Sequence, residues 1–122
     1  MKVFYNSRLA APFFIRFKGR LYGRAKQGDK IYFSHSKEHM LIKINGKLFY
    51  EWVFKHELQH IYQQRREGSL KFRCKYVTEY LINLIKLRNH NKAYEAISYE
   101  VQARAMESVE LTNNELSMLG IE

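Results

Sequence analysis

The only proline in the chain is Pro12, so from residue 13 to residue 122 no residue lacks a backbone donor for a helix or sheet ladder. Over the second half of that length the apolar residues fall into helical spacing. Between Lys71 and Arg88, Phe72, Tyr76, Val77, Tyr80, Leu81, Leu84 and Ile85 recur three and four residues apart, which predicts a long amphipathic helix ending near the polar turn RNHNK. Another helix is expected from about Glu51 to Arg66, closed by Gly68, with Trp52, Phe54, Leu58 and Ile61 on its buried side and Tyr62 able to join them. A third begins at Ser98, a residue type suited to the N-cap, and runs to about Val109. The tail LTNNELSMLGIE adds a turn or a short helix.

Ahead of these helices the pattern is that of strands. FFIRFKGRLYG and KIYFS are rich in aromatic and β-branched residues and are broken at Gly19, Gly23 and Gly28-Asp29. In LIKINGKLFY, Asn45-Gly46 signals a hairpin at roughly 40 to 50, because both central positions of a type I′ turn need a positive φ. The expected fold class is α+β: N-terminal antiparallel strands, then the 51–66 helix and two further helices, in a single domain over residues 1–122.

Lys and Arg number 21 against 12 acids, a formal charge of +9, so the surface should attract an acidic partner, nucleic acid or an anionic membrane. No recognised nucleic-acid motif accompanies the charge, and QQRRE reads first as a solvated basic surface. Cys74 is the one cysteine, which excludes an internal disulfide; it reads as a small buried hydrophobe near the edge of its helix's apolar face. Arg16, Lys18 and Arg20 interrupt the apolar residues of the N-terminus before they reach the roughly 7–15 residue run of a signal peptide, and nothing approaches the ~20 apolar residues of a membrane span. The expected location is cytoplasmic, with a virion or injected particle as the other destination compatible with a chain that has no cleaved signal.

The 51–66 helix carries His56-Glu57-Leu58-Gln59-His60, the pattern H-E-x-x-H. Residues four apart share a helix face, so His56 and His60 can offer two ring nitrogens to one ion. Glu57 is turned about 100° from His56 and about 60° from His60, which puts its carboxylate beside the ion rather than on it, as a general base requires. A catalytic zinc takes three protein ligands and an open position. Gln63 and Arg66 stand where H-E-x-x-H-x-x-G-x-x-H needs glycine and histidine, so a carboxylate is the natural third ligand. Glu100 is favoured, since Ala96 and Ala103 on its side of the third helix permit a close approach; Glu95, in an expected loop, and Glu79, on the polar edge of the 71–88 helix, are the alternatives. His35 and His39 are also four apart, but within an expected loop they read as a solvated pair.

HELQHIYQQ followed some forty residues later by AYEAISYEVQARA resembles the gluzincin group of zinc metallopeptidases in a very short form, a minimal zincin-like domain. With GDKIYFS ahead of the motif, the resemblance covers roughly residues 28 to 107 and extends to the compact H-E-x-x-H domains of toxins and phage-like injection systems. It implies a hydrolase acting on a polypeptide, with Zn2+ held by His56, His60 and Glu100 and with Glu57 as the catalytic base. It further implies a substrate strand added to an edge strand supplied by KIYFS or LFY, and an oxyanion partner among His90, Tyr94 and Tyr99. Small members are expected to be weak or latent, and the tail after Glu110 is long enough to fill a cleft. Two other classes stand beside this one: a non-catalytic basic structural or nucleic-acid-associated or virion protein that keeps the zinc-binding fold, and a metal-free α+β domain.

Overall fold

A computed structural model describes residues 2–6, 23–26, 30–33 and 35–121. Most of FFIRFKGRLYG, and Gly28-Asp29, lie outside the described residues. Strand β1 (Lys2–Phe4) runs parallel to β3 (Lys30–Phe33), and β2 (Gly23–Lys26) runs antiparallel to it, giving the order β1-β3-β2. The expectation of purely antiparallel strands therefore fails at β1. The chain returns to β3 from the same end, and Val3 stands beside Ile31. Because β3 is the central strand, KIYFS cannot offer a free edge; among the described residues β2 is the edge that runs beside the motif helix.

Ser36 caps the short helix α1 (Lys37–Met40), so Ser36, Lys37 and Glu38 belong to a capped helical turn rather than a loop, while Ser34 lies outside the described residues. The hairpin follows as expected, with β4 (Lys43–Ile44) and β5 (Lys47–Leu48) joined by Asn45 and Gly46 at φ 56° and 79°. Helix α2 (Glu51–Glu67) ends at Gly68, whose φ of 88° any side chain would strain, and α3 (Ser69–Leu87) begins at once. RNHNK is more than a turn: Arg88 adopts a left-handed conformation and the Asn89 side chain accepts from the Lys92 amide to start α4 (His90–Glu95). Helix α5 (Ser98–Met106) and α6 (Asn113–Met118) complete the order, so four helices follow the motif helix: the two expected, the short one foreseen as an option for the tail, and α4, which was not expected. No helix among the described residues is long and apolar enough to cross a membrane.

The core forms where one face of β3 meets one face of α2. Ile31 and Phe33, two residues apart on β3, point the same way, and Phe33 meets Phe54 edge-on at 4.9 Å. Leu58, Ile61 and Val53 extend the cluster, whereas Trp52 is 40% exposed and lies outside it, contrary to expectation. Leu119 and Ile121 of the tail are buried in the same cluster. The tail is thus a part of the core and not a plug.

A buried ion pair fixes it there. Glu115 Oε1 accepts from Lys55 Nζ at 2.8 Å and from the Thr112 amide at 2.9 Å, Oε2 accepts from the Tyr62 hydroxyl at 2.9 Å, and Thr112 completes a capping box on α6. Burial alone would raise the Glu115 carboxyl, but these hydrogen bonds and the charge of Lys55 together hold it below its ordinary value of 4.5. A depressed folded-state value contributes stability above the unfolded value and loses it as pH falls, so this contribution should fade from about pH 4.5 downward. Glu115→Ala, which leaves Lys55 buried with no counter-charge, is expected to cost roughly 3–5 kcal/mol in urea unfolding at neutral pH. A loss below about 1 kcal/mol would show that water reaches the pair.

Candidate metal centre

Helix α2 uses three of its faces. Phe54, Leu58 and Ile61 enter the core, Lys55 and Tyr62 reach α6, and His56, His60 and Gln63 turn toward α5. On α5 the small Ala103 is fully buried, and Glu100, one turn before it, is 2% exposed and points back at the two histidines. His60 Nε2 lies 2.7 Å from Glu100 Oε1, His56 Nε2 lies 3.2 Å from Glu100 Oε2, and the two Nε2 atoms are 3.2 Å apart. The three residues form one group able to hold a metal ion among the described residues.

The far side of each ring decides its tautomer. The Tyr99 carbonyl can only accept, so it receives Gln63 Nε2 at 3.1 Å, which turns Gln63 Oε1 toward His60 Nδ1 at 2.9 Å. His60 must then donate from Nδ1. His56 Nδ1 likewise faces a Glu107 carboxylate oxygen at 2.6 Å. In the neutral rings both Nε2 atoms therefore present lone pairs to the same point as the Glu100 carboxylate. Three acceptors at this spacing repel one another unless a cation lies among them.

Without a metal, protons take that role. Burial works to lower the His56 value, yet its hydrogen bond to Glu100 and the charges of Glu57 and Glu100 outweigh burial and push it up to about 9. His60 moves in the same direction against the same opposition, and although burial works to raise Glu100, the two rings hold it well below the carboxylate range. The 2.7 Å distance is that of a charge-assisted hydrogen bond. With a metal, the same atoms fit a different cation: ligands about 2.0–2.1 Å from a tetrahedral zinc stand about 3.3 Å apart, close to the two 3.2 Å separations.

Glu57 is buried beside this group without belonging to it, and its Oε2 accepts no hydrogen bond from the described residues. Its charge is felt by His56, His60 and Tyr94. The Tyr76 hydroxyl donates to Glu100 Oε1 at 3.2 Å, and Tyr94 lies close enough to feel the Glu100 charge. Burial, then the Glu100 charge, raises both tyrosines well above their ordinary value, so they act as donors.

The other sequence candidates fall elsewhere. Glu79 caps α5, accepting from the Ser98 amide at 3.1 Å and the Ser98 hydroxyl at 2.9 Å; Ser98 is the first helical residue and Ile97 occupies the cap position. Glu95 is the exposed last residue of α4 rather than a loop residue, and it lies outside the group. His35 and His39 stack at 4.6 Å, with His39 Nε2 hydrogen-bonded to the Tyr50 hydroxyl. His90 is hydrogen-bonded to Tyr80, and the Tyr99 hydroxyl donates to Glu67, which leaves Tyr94 as the one named oxyanion candidate that feels the Glu100 charge.

Three residues at the site carry no mark in the motif: Gln63, Tyr76 and Glu107. Glu107 sits two turns after Glu100, and that spacing is the signal that places both on one face of α5. Residues behind the ligands usually tune metal affinity 10- to 100-fold. Glu107→Ala is expected to weaken zinc binding by about that factor in competition with a chromophoric chelator, with the melting temperature measured alongside. An unchanged affinity would mean that α5 packing alone orients His56.

No protein-family model, curated protein or solved structure matches the chain.

Proposed function

We propose that the chain is a zinc-dependent metallopeptidase of minimal, gluzincin-like form, with His56, His60 and Glu100 holding the zinc and Glu57 as general base. The observation that carries this reading is the convergence of two imidazole nitrogens and the Glu100 carboxylate at 2.7–3.2 Å, with a second buried carboxylate, that of Glu57, beside them. A purely structural zinc site has no use for that second carboxylate, and it commonly takes four protein ligands rather than three.

A bound zinc supplies Lewis acidity, polarising a carbonyl and bringing a water's pKa toward roughly 7. The chain supplies the rest. Glu57 takes the proton of the attacking water and returns it to the leaving amine nitrogen, so the C–N bond breaks with no net change in the enzyme. Gln63 and Glu107 hold the two imidazoles with Nε2 inward. Tyr76 donates to Glu100 and helps keep its carboxylate directed at the rings. An extended polypeptide would pair with β2, the edge strand beside α2.

The test is hydrolysis of an unfolded protein such as casein by the zinc-loaded chain. Activity should vanish with a chelator and return with zinc. One zinc per chain without cleavage, joined to salt-sensitive DNA binding that Glu57→Gln leaves intact, would instead favour the non-catalytic basic protein.

A further inference from the structure

Helix α3 is mounted with its apolar stripe outward. At 100° per residue, Leu70, Cys74, Val77, Leu81 and Ile85 all lie within about 40° of Leu81. They are exposed: Leu70 and Ile85 to 77% and 76%, Val77 and Leu81 to about half. The opposite face carries Phe72, Tyr76, Glu79 and Asn83, which pack on Tyr99 or bond to Glu100, Ser98 and the Ala93 carbonyl. No residue of this 19-residue helix is buried. Scattered exposed apolar residues are ordinary, but a continuous stripe along one helix marks a contact surface.

The geometry of the stripe selects what covers it. Its spacing of four, three, four and four residues is that of a seam between two helices, with Ile82 and Leu87, each about half exposed, beyond its edges. A helix that lies in a lipid surface presents aromatic residues on its apolar face. Here Phe72 and Tyr76 are turned inward. The flanks of its N-terminal half are basic: Lys71 and Arg73, both exposed, stand about 80° to either side of the stripe, and the one acid of the helix, Glu79, is spent on Ser98. A second copy of α3 packed in parallel would set these like charges against each other.

We propose that α3 is the docking surface for an amphipathic helix of a partner protein, apolar along a heptad seam and acidic at its flanks. The partner's leucines would cover Leu70, Val77, Leu81 and Ile85, and its carboxylates would meet Lys71 and Arg73. This surface faces away from Glu100 and does not depend on the metal.

The test uses the full chain and three labelled synthetic helices with leucine at the seam positions and glutamate, lysine or serine at the flanks. Fluorescence anisotropy should show binding of the glutamate helix at least tenfold tighter than either control, and weakening as salt rises. Ile85→Asp, at the exposed C-terminal end of the stripe, should reduce that binding at least tenfold with melting temperature and zinc content unchanged. Lys71→Glu with Arg73→Glu should reduce it by a similar factor and favour the lysine helix. Equal binding of all three helices, or indifference to both variants, would overturn the proposal. So would sedimentation of the chain alone as a dimer that Ile85→Asp dissociates, or tighter binding to phosphatidylserine vesicles than to the glutamate helix.

Discussion

Glu100→Ala is expected to lower zinc affinity by two to three orders of magnitude while leaving the fold intact. Structural zinc sites bind with about 10–16 kcal/mol over four ligands, or roughly 3–4 kcal/mol for each, and 1.4 kcal/mol is a factor of ten. The loss goes beyond counting ligands, because Glu100 also compensates the repulsion between the two Nε2 atoms 3.2 Å apart. In the variant that repulsion stands, and the histidines lose a main source of their raised pKa values. Glu79→Ala is the internal control. It removes both hydrogen bonds that start α5, so it should cost about 1 kcal/mol of stability and leave zinc affinity within a few-fold of the unaltered chain. Chelator competition and urea unfolding on the two variants separate ligand from cap. Equal zinc loss in both would mean that the effect passes through the placement of α5.

Glu57→Gln should do the opposite: full zinc content, and peptide hydrolysis lowered by about 10²- to 10⁴-fold, the usual range for a positioned acid–base group. Glutamine has nearly the same volume, so Leu58 and Phe54 on either side keep their packing. It cannot take a proton at neutral pH. The loss should fall on kcat more than on KM, since the carboxylate acts on the reacting water and not on the substrate's side chains. A variant that keeps its activity would remove Glu57 from the chemistry.

The stretches that read most accurately from the sequence are those where local chemistry alone decides the outcome. Gly68 closes α2 within a residue of the expected end, and Asn45-Gly46 turns the hairpin, because a positive φ leaves few alternatives. The nearness of Glu100 to the two histidines was legible through Ala103, which sits buried one turn on, whereas Ala96 is the exposed C-cap of α4 and lies outside α5. Periodicity, by contrast, shows that a helix has an apolar face but not which face the rest of the chain takes. On α3 the interior belongs to Phe72, Tyr76 and Glu79, so Cys74, expected in the core, is exposed, and Glu79, expected on the polar edge, caps α5. Gln63 was not legible, and Glu107 only through its spacing from Glu100, for another reason. Each matters only through the ring nitrogen that it meets in space, and sequence spacing does not say where a ring's second nitrogen will point.

The most direct test of the metal centre is X-ray absorption at the zinc edge on protein loaded with one equivalent of zinc. The predicted spectrum has only nitrogen and oxygen neighbours at about 2.0–2.1 Å, with the multiple-scattering signature of two imidazoles that falls to one in His60→Ala. A sulfur neighbour at about 2.3 Å, placing Cys74 on the metal, or a signature unchanged in His60→Ala, would contradict it.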